Sequence, residues 1–226
     1  KPGSVGKKQP DSNESDKCPA RSGAVKMTIE FHFDFGSPNA YLSHLVLPQI
    51  EERTGKSVTY VPVLLGGVFK ATNNVSPAVS MQGIINKGEY AQLETERFVS
   101  RHNIKNYNRN PFFPVNTLQI MRGAIYAAQK DFLGTYVNAI YYHMWSAPRK
   151  MDDPEVIAQA MTESGLPTEE ILTAIQAPEI KAGLITNTER SVGMGTFGSP
   201  TFFVDNEIFF GKDKLDEFEA MIISRD

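Results

Sequence analysis

Apolar and polar positions begin to alternate at Thr28. In Thr28 to Phe35 (TIEFHFDF), Ile29, Phe31, Phe33 and Phe35 share one face, the period-2 signature of a strand. Gly36-Ser37-Pro38 interrupts it. The apolar positions then shift to helical spacing at Tyr41, Leu42, Leu45, Val46 and Ile50, predicting a helix over 40–53. Ser37 fits its N-cap and Pro38 its first helical position, and Thr54-Gly55 closes it. Ser57 to Leu65 (SVTYVPVLL) reads as a second strand ending near Gly66-Gly67, giving a β-α-β unit. From Val68 to about Ile180 the pattern is helical, with candidate helices over 88–102, 117–128, 131–145, 153–164 and 168–176. Asn106 to Pro114 (NYNRNPFFP) is a loop. A helix over 180–193 follows. Two short strands, TFFV (201–204) and EIFF (207–210), flank the hairpin signal Asp205-Asn206, and a helix over 213–223 ends the pattern.

Residues 1–26 stand apart. They hold none of the chain's 14 Phe, 8 Tyr and 1 Trp. Six basic and three acidic side chains give them a charge of +3, within a chain of 226 residues whose net charge is −3. Such a polar segment buries too little apolar surface to offset its ordering entropy, so it reads as a disordered extension or a cloning remnant. The single cysteine, Cys18, falls here and reads as an exposed thiol outside any catalytic site. One cysteine excludes a disulfide framework, a CxxC pair and a cysteine-cluster zinc site. His32, His44, His102 and His143 share no metal-ligand spacing, so no metal is expected. His32 falls on the polar face of the first strand and reads as solvated. The modest net charge calls for neither nucleic acid nor an anionic membrane, and no apolar run reaches membrane-spanning length. With no signal-peptide pattern, the expected location is the cytoplasm.

Four short motifs carry candidate chemistry, and each has a plain reading beside it. Ser37-Pro38, after a strand and opening a helix, is first a capped helix start. It is also a place where the positive end of a helix and a hydroxyl donor meet a sulfur anion supplied by another molecule. Gly198-Ser199-Pro200-Thr201 is first a strand-entry proline. With a cis Pro200, it would instead leave the Ser199 N–H and C=O free at a sheet edge, able to pair with an extended, peptide-like ligand. GMGTFG (193–198) matches GxGxxG but follows a helix and enters a strand, the reverse of a dinucleotide site, and is discounted. Asp213 after Gly211-Lys212 is first an N-cap and second a carboxylate for the ammonium of a zwitterionic ligand.

Together, β-α-β, a helical block and a proline-led β-β-α resemble the DsbA-like branch of the thioredoxin fold. Ser37-Pro38-Asn39-Ala40 stands where redox members carry CxxC. The stretches FDFGSPNAYL (33–42), LLGGVFKATNN (64–74), NKGEY (86–90), FPVNTLQIMRGA (113–124) and GTFGSPTFFVDNEIFFGKDKLDEFE (195–219) are most similar to the 2-hydroxychromene-2-carboxylate isomerases, relatives of the kappa-class glutathione transferases. The resemblance implies an α/β, thioredoxin-like fold over 27–67 and 181–226 with an all-helical insertion over 68–180. It implies glutathione as cofactor and a homodimer acting on a small aromatic substrate. Ser37 matches the serine that keeps the glutathione sulfur as thiolate, and Ser199 with Pro200 the edge that pairs with the cysteinyl part. Lys212 and Asp213 match the pair near the γ-glutamyl end, and Lys87 a basic residue facing a carboxylate. Lys70, Asn74 and Asn116 match positions near the second substrate. Asn39 stands where many relatives have an aromatic residue. The alternatives are a kappa-like transferase or peroxidase, and a non-catalytic thioredoxin-like binding module.

Overall fold

The computed structural model describes residue 3 and residues 27–225. The readings made for Cys18 and for 1–26 therefore lie outside the described residues, apart from Gly3. Four strands form one sheet in the order β2-β1-β3-β4: β1 Ile29–Phe33, β2 Thr59–Pro62, β3 Thr201–Val204 and β4 Glu207–Phe210. β1 runs parallel to β2 and antiparallel to β3, which pairs antiparallel with β4. Parallel pairing of β1 with β2 requires a crossover, which α1 (Pro38–Thr54) supplies. Between β2 and β3 lie α2 (Leu65–Thr72), α3 (Pro77–Ser80), α4 (Lys87–Arg101), α5 (Leu118–Gln129), α6 (Leu133–Tyr141), α7 (Pro154–Glu163), α8 (Thr168–Ala174) and α9 (Pro178–Gly193). A 3₁₀ turn, Lys212–Lys214, leads into α10 (Leu215–Ser224). The chain thus folds as a DsbA-like thioredoxin, with a mixed sheet and helices on it.

The two faces of the sheet have different cores. Phe31, Phe33 and Phe202 point to one face, where Phe31 stacks on Phe202 with ring centroids 5.1 Å apart and Phe218 of α10 covers Phe202 at 5.0 Å. Ala40, Tyr41, Leu42, Val46, Leu47 and Ile50 of α1 are buried on this side. At about 1.5–3 kcal/mol for each large apolar side chain removed from water, this face dominates the stabilisation. The core runs on into the helices through Phe35, which packs edge-on to Tyr136 and Tyr141. The Trp145 indole N–H donates to the Phe35 carbonyl at 2.8 Å. On the opposite face, Val61 and Val63 pack with Val68 of α2 and Val192 of α9.

The sequence pattern and the structure differ at several boundaries. The helix expected over 131–145 is α-helical only to Tyr141, after which Tyr142–Ser146 forms a π turn. That register shift places His143, Met144 and Trp145 in the core. Gly66 and Gly67 lie within α2 and do not end a strand. Asp213 is not the N-cap of the last helix; it sits inside the 3₁₀ turn, and Lys214 precedes α10. The largest correction concerns His32. It is fully buried beneath α9, between Ser191 and Glu30, and is not solvated. Alternation assigned it correctly to the face opposite Phe31, but that face is covered.

His44 of α1 bridges Tyr60 (Nδ1 to the hydroxyl, 2.8 Å) and Asn138 (Nε2 to Oδ1, 3.0 Å). Burial holds its imidazole neutral down to about 4, against a hydrogen bond to Asn138 that favours the charged form. The unfolded chain takes up this proton near 6.5, so the native state loses stability as pH falls from about 6.5 to about 4. The loss is on the order of 3 kcal/mol. Urea unfolding at pH 7 and pH 4 is expected to show a steeper acid loss for the native chain than for His44→Gln by that amount. Equal slopes would contradict it.

Candidate functional site

The site is built where β1 ends. Asp34 is buried, and its carboxylate accepts the N–H of Gly36 at 2.8 Å and that of Leu65, the first residue of α2, at 2.7 Å. Burial pushes its carboxyl above the usual range, while these N–H groups and the Thr117 side chain pull the other way. One side chain thus fixes the β1 turn, the start of α2 and the entry to α5. Gly36 packs so tightly that a Cβ there would meet Thr117 Cγ2 at 3.1 Å and Asp34 Oδ1 at 3.3 Å.

The turn delivers Ser37 to the N-terminus of α1 with extended backbone (φ −92°, ψ 114°) and Pro38 behind it. Its Oγ accepts the Ala40 N–H at 3.1 Å and donates to the Ser199 carbonyl at 2.8 Å. α1 has 17 residues and no acidic side chain in its first turn, so its positive end is uncancelled locally. Ser37 is 5% exposed.

Ser199 faces it from the start of β3. The Ser199-Pro200 peptide bond is cis. The Asp34 N–H donates to Ser199 Oγ at 3.2 Å. The expectation that both backbone groups of Ser199 are free therefore holds for one: its carbonyl is taken by Ser37. Its N–H donates to no group among the described residues. The preceding loop is pinned by Asn74, whose Nδ2 donates to the Phe197 carbonyl at 2.9 Å, and by Phe197 packed on Phe210 with centroids 4.4 Å apart. On the other side the Gly211 N–H donates to the Pro200 carbonyl at 3.0 Å, carrying Lys212 and Asp213 to this edge. The Lys212 ammonium is buried over the Phe98 ring of α4, 4.8 Å from its centroid, and pairs with the exposed carboxylate of Asp213.

Ser37, Ser199 and Pro200 thus meet directly, Asn74 joins through its bond to the Phe197 carbonyl, and Lys212 and Asp213 follow Gly211, which bonds to the Pro200 carbonyl. Asn116 lies at the mouth of α5, where its Oδ1 caps the Leu118 N–H at 3.0 Å, beside the Thr117 that packs on Gly36. Lys70 on α2 and Lys87 at the start of α4 are exposed, and no hydrogen bond or ion pair of theirs reaches this group among the described residues. Asp34 and Thr117 are the site-building residues that sequence reasoning missed. The only available signal was a carboxylate one residue before the Phe-Gly-Ser turn. A cleft of about 380 Å³ along α1, between Tyr41, His44, Gln49 and the 102–106 loop, contains none of the candidate residues. Among the described residues no group of three or more His, Cys, Asp or Glu could hold a metal, and no helix is long and apolar enough to cross a membrane.

This arrangement offers a hydroxyl donor, a helix dipole and a sheet-edge amide to one anionic, peptide-like ligand. Comparisons with known proteins place the chain in a family. The family model described as a DSBA-like thioredoxin domain matches residues 28–222. A 2-hydroxychromene-2-carboxylate isomerase from Sphingobium xenophagum is 27% identical over 199 residues, covering 87% of this chain and 98% of its own. Glutathione S-transferase kappa 1 from Rattus norvegicus is 23% identical, covering 86% and 90%. The solved structure of a 2-hydroxychromene-2-carboxylate isomerase superposes with a TM-score of 0.74 at 22% identity, over 86% of this chain and 94% of that one.

Proposed function

This chain belongs to the DsbA-like thioredoxin family, and we propose that within it the protein is a glutathione-dependent isomerase acting on 2-hydroxychromene-2-carboxylate or a close aryl analogue. The observation that carries this reading is the Ser37 hydroxyl at the positive end of α1, 2.8 Å from the Ser199 carbonyl, where the redox relatives need cysteine. A serine there cannot exchange disulfides, but it can donate to a sulfur anion. The similarity to named isomerases and to a kappa transferase supports a thiol cofactor and a small organic substrate.

In this reading the cysteinyl backbone of glutathione pairs with Ser199. The free Ser199 N–H donates to it, and the Ser199 carbonyl accepts from it. Ser37 turns its hydroxyl from that carbonyl to the sulfur. Glutathione held there would supply a thiolate able to add reversibly to the conjugated double bond of the substrate once the hemiketal ring has opened to the phenol and the α-keto acid, which would let that bond rotate and would return glutathione unchanged. Ser37 and the α1 dipole hold the thiolate at neutral pH. Asp213, exposed at the edge, would face the γ-glutamyl ammonium, while Lys87 would face a glutathione carboxylate. Lys70, Asn74 and Asn116 would hold the organic substrate. Exposed Val75, Val79, Ile84 and Ile85 support a homodimer, which gel filtration would show.

Calorimetric titration with glutathione, followed by turnover with the cyclic hemiketal, tests the reading. Binding with thiolate absorbance, and turnover without loss of free thiol, is the expected result. Thiol consumed in step with the organic substrate would make it a kappa-like transferase. No binding at millimolar glutathione would leave a binding module and overturn the proposal.

A further inference from the structure

A second polar cluster lies under the site, on the face of the sheet opposite α1. His32 of β1 is fully buried, as are Ser191 of α9 and Thr196 of the loop that leads to Ser199. His32 Nδ1 is 2.7 Å from Ser191 Oγ, and Ser191 Oγ is 2.8 Å from Thr196 Oγ1. His32 Nε2 is 3.0 Å from Glu30 Oε2, and Arg190 Nη2 grips both oxygens of Glu30 at 2.6 and 2.7 Å. The Thr196 N–H donates to the Ser191 carbonyl at 3.1 Å, so Thr196 is held by side chain and backbone together. Thr201, the register partner of His32, donates through its hydroxyl to the Gly198 carbonyl at 2.9 Å. The segment from Thr196 to Thr201, with Ser199 at its centre, is therefore anchored at both ends beside His32.

We propose that His32 is a positioning residue for the Ser199 edge, acting through the Ser191–Thr196 hydroxyl pair. The proposal rests on the glutathione reading for its effect on binding, but not for the coupling itself. Proton counting gives the mechanism. A carboxylate facing Nε2 requires a proton on that nitrogen. The Ser191 hydroxyl donates to Thr196 Oγ1, so its oxygen is free to take the Nδ1–H of a charged His32, and the chain from Glu30 to Thr196 is continuous. With His32 neutral and its proton on Nε2, Nδ1 needs a donor. Ser191 then turns its one hydrogen to Nδ1, Thr196 loses that bond, and the loop carrying Ser199 is held less firmly. The charged groups facing His32 are Glu30 on its own strand and Arg190 on α9. β2 and β3 present Val61, Thr201 and Phe203. Burial lowers the affinity of His32 for a proton, Glu30 opposes this, and the neutral form is the resting one near pH 7.

S-methylglutathione is the probe, because its sulfur cannot ionise and any pH dependence comes from the edge. Thr196→Val keeps the volume and removes the hydroxyl. It is expected to weaken binding about fivefold to tenfold at pH 5, and Thr196→Ser to restore it. Binding by the native chain is expected to strengthen between pH 7.5 and pH 5, and His32→Asn, which still reaches Ser191 but does not titrate, to flatten that profile. A purely structural role would lower thermal stability and leave affinity in the folded protein unchanged. Thr196→Val within twofold of the native affinity, or an unchanged profile in His32→Asn, would overturn the proposal. If the native chain binds no glutathione at all, the functional reading fails instead. The coupling is then read from nuclear magnetic resonance, where amide shifts of residues 196–199 must follow the His32 ring titration and lose that dependence in Thr196→Val. Amides that do not follow it would refute the relay.

Discussion

Ser37→Ala is expected to lower glutathione-dependent isomerisation by about 10²–10³-fold in kcat/KM, the usual consequence of removing one preorganised donor from a developing or resting anion. The same change removes the acceptor for the Ala40 N–H, which costs about 1 kcal/mol of helix stability. The two effects are separable. Ser37→Asp keeps an N-cap acceptor but places a carboxylate against the thiolate. It should be folded and as inactive as the alanine variant. Ser37→Thr keeps both functions and should retain most activity. Thiolate absorbance of bound glutathione should fall in Ser37→Ala at fixed saturation. An alanine variant with kcat/KM within threefold of the native value would show that the helix dipole and the Ser199 edge suffice, and Ser37 would revert to a capping residue.

The largest expected effect on stability is at Gly123, inside α5. Propensity alone favours alanine there by about 1 kcal/mol. Packing reverses the sign. A Cβ at this position would sit 2.1 Å from the Tyr136 hydroxyl oxygen and 2.7 Å from its Cζ, and Tyr136 is fully buried. The ring must move, and its bond to the Ile120 carbonyl at 2.8 Å goes with it. Overpacking at about 1–3 kcal/mol and a lost buried hydrogen bond at about 1–3 kcal/mol outweigh the propensity gain, for a net loss of about 3 kcal/mol. Urea unfolding of Gly123→Ala measures it. Gly134→Ala, in a helix with open space around the position, is the control and should be neutral or slightly stabilising. Tyr136→Phe should rescue Gly123→Ala only in part, since the ring carbon remains in the way. A Gly123→Ala variant as stable as the native chain would mean that Tyr136 has room to swing aside.

What was legible in the sequence was local. The Ser37-Pro38 cap and the strand–turn–helix around it are decided within ten residues, and alternation over 28–35 is unambiguous. Hairpin chemistry at Asp205-Asn206 is equally short-range, and Asp205 indeed adopts the left-handed φ of 53° that such a turn needs. These pieces, with the absent CxxC, were enough to place the fold. What was not legible depended on partners far away in sequence. α2 begins at Leu65 because Asp34, 31 residues earlier, accepts its N–H, whereas Gly66-Gly67 by themselves read as a strand end. His32 reads as solvated until α9, 159 residues later, lays Ser191 over it. The π turn at Tyr142–Ser146 leaves the apolar pattern of a continuous helix almost unchanged. The Ser199 carbonyl reads as free until Ser37 is seen to reach it. Pattern reports which way a side chain points, but not what covers it.

The strand order has a consequence for how the protein is made. β1 lies between a neighbour that follows closely, β2, and one that comes near the end of the chain, β3. Ser37 and Ser199 are 162 residues apart. A ribosome adding about 5–20 residues per second needs roughly 8–30 s to supply that interval. Throughout it, one edge of β1 is unpaired, and Phe31 and Phe33 await Phe202. The contact between Ser37 and Ser199 thus forms late in translation. Chains cut short before Ser199 have neither a complete sheet nor the Ser37–Ser199 pair, and a chaperone that holds unpaired edges meets β1 for longest.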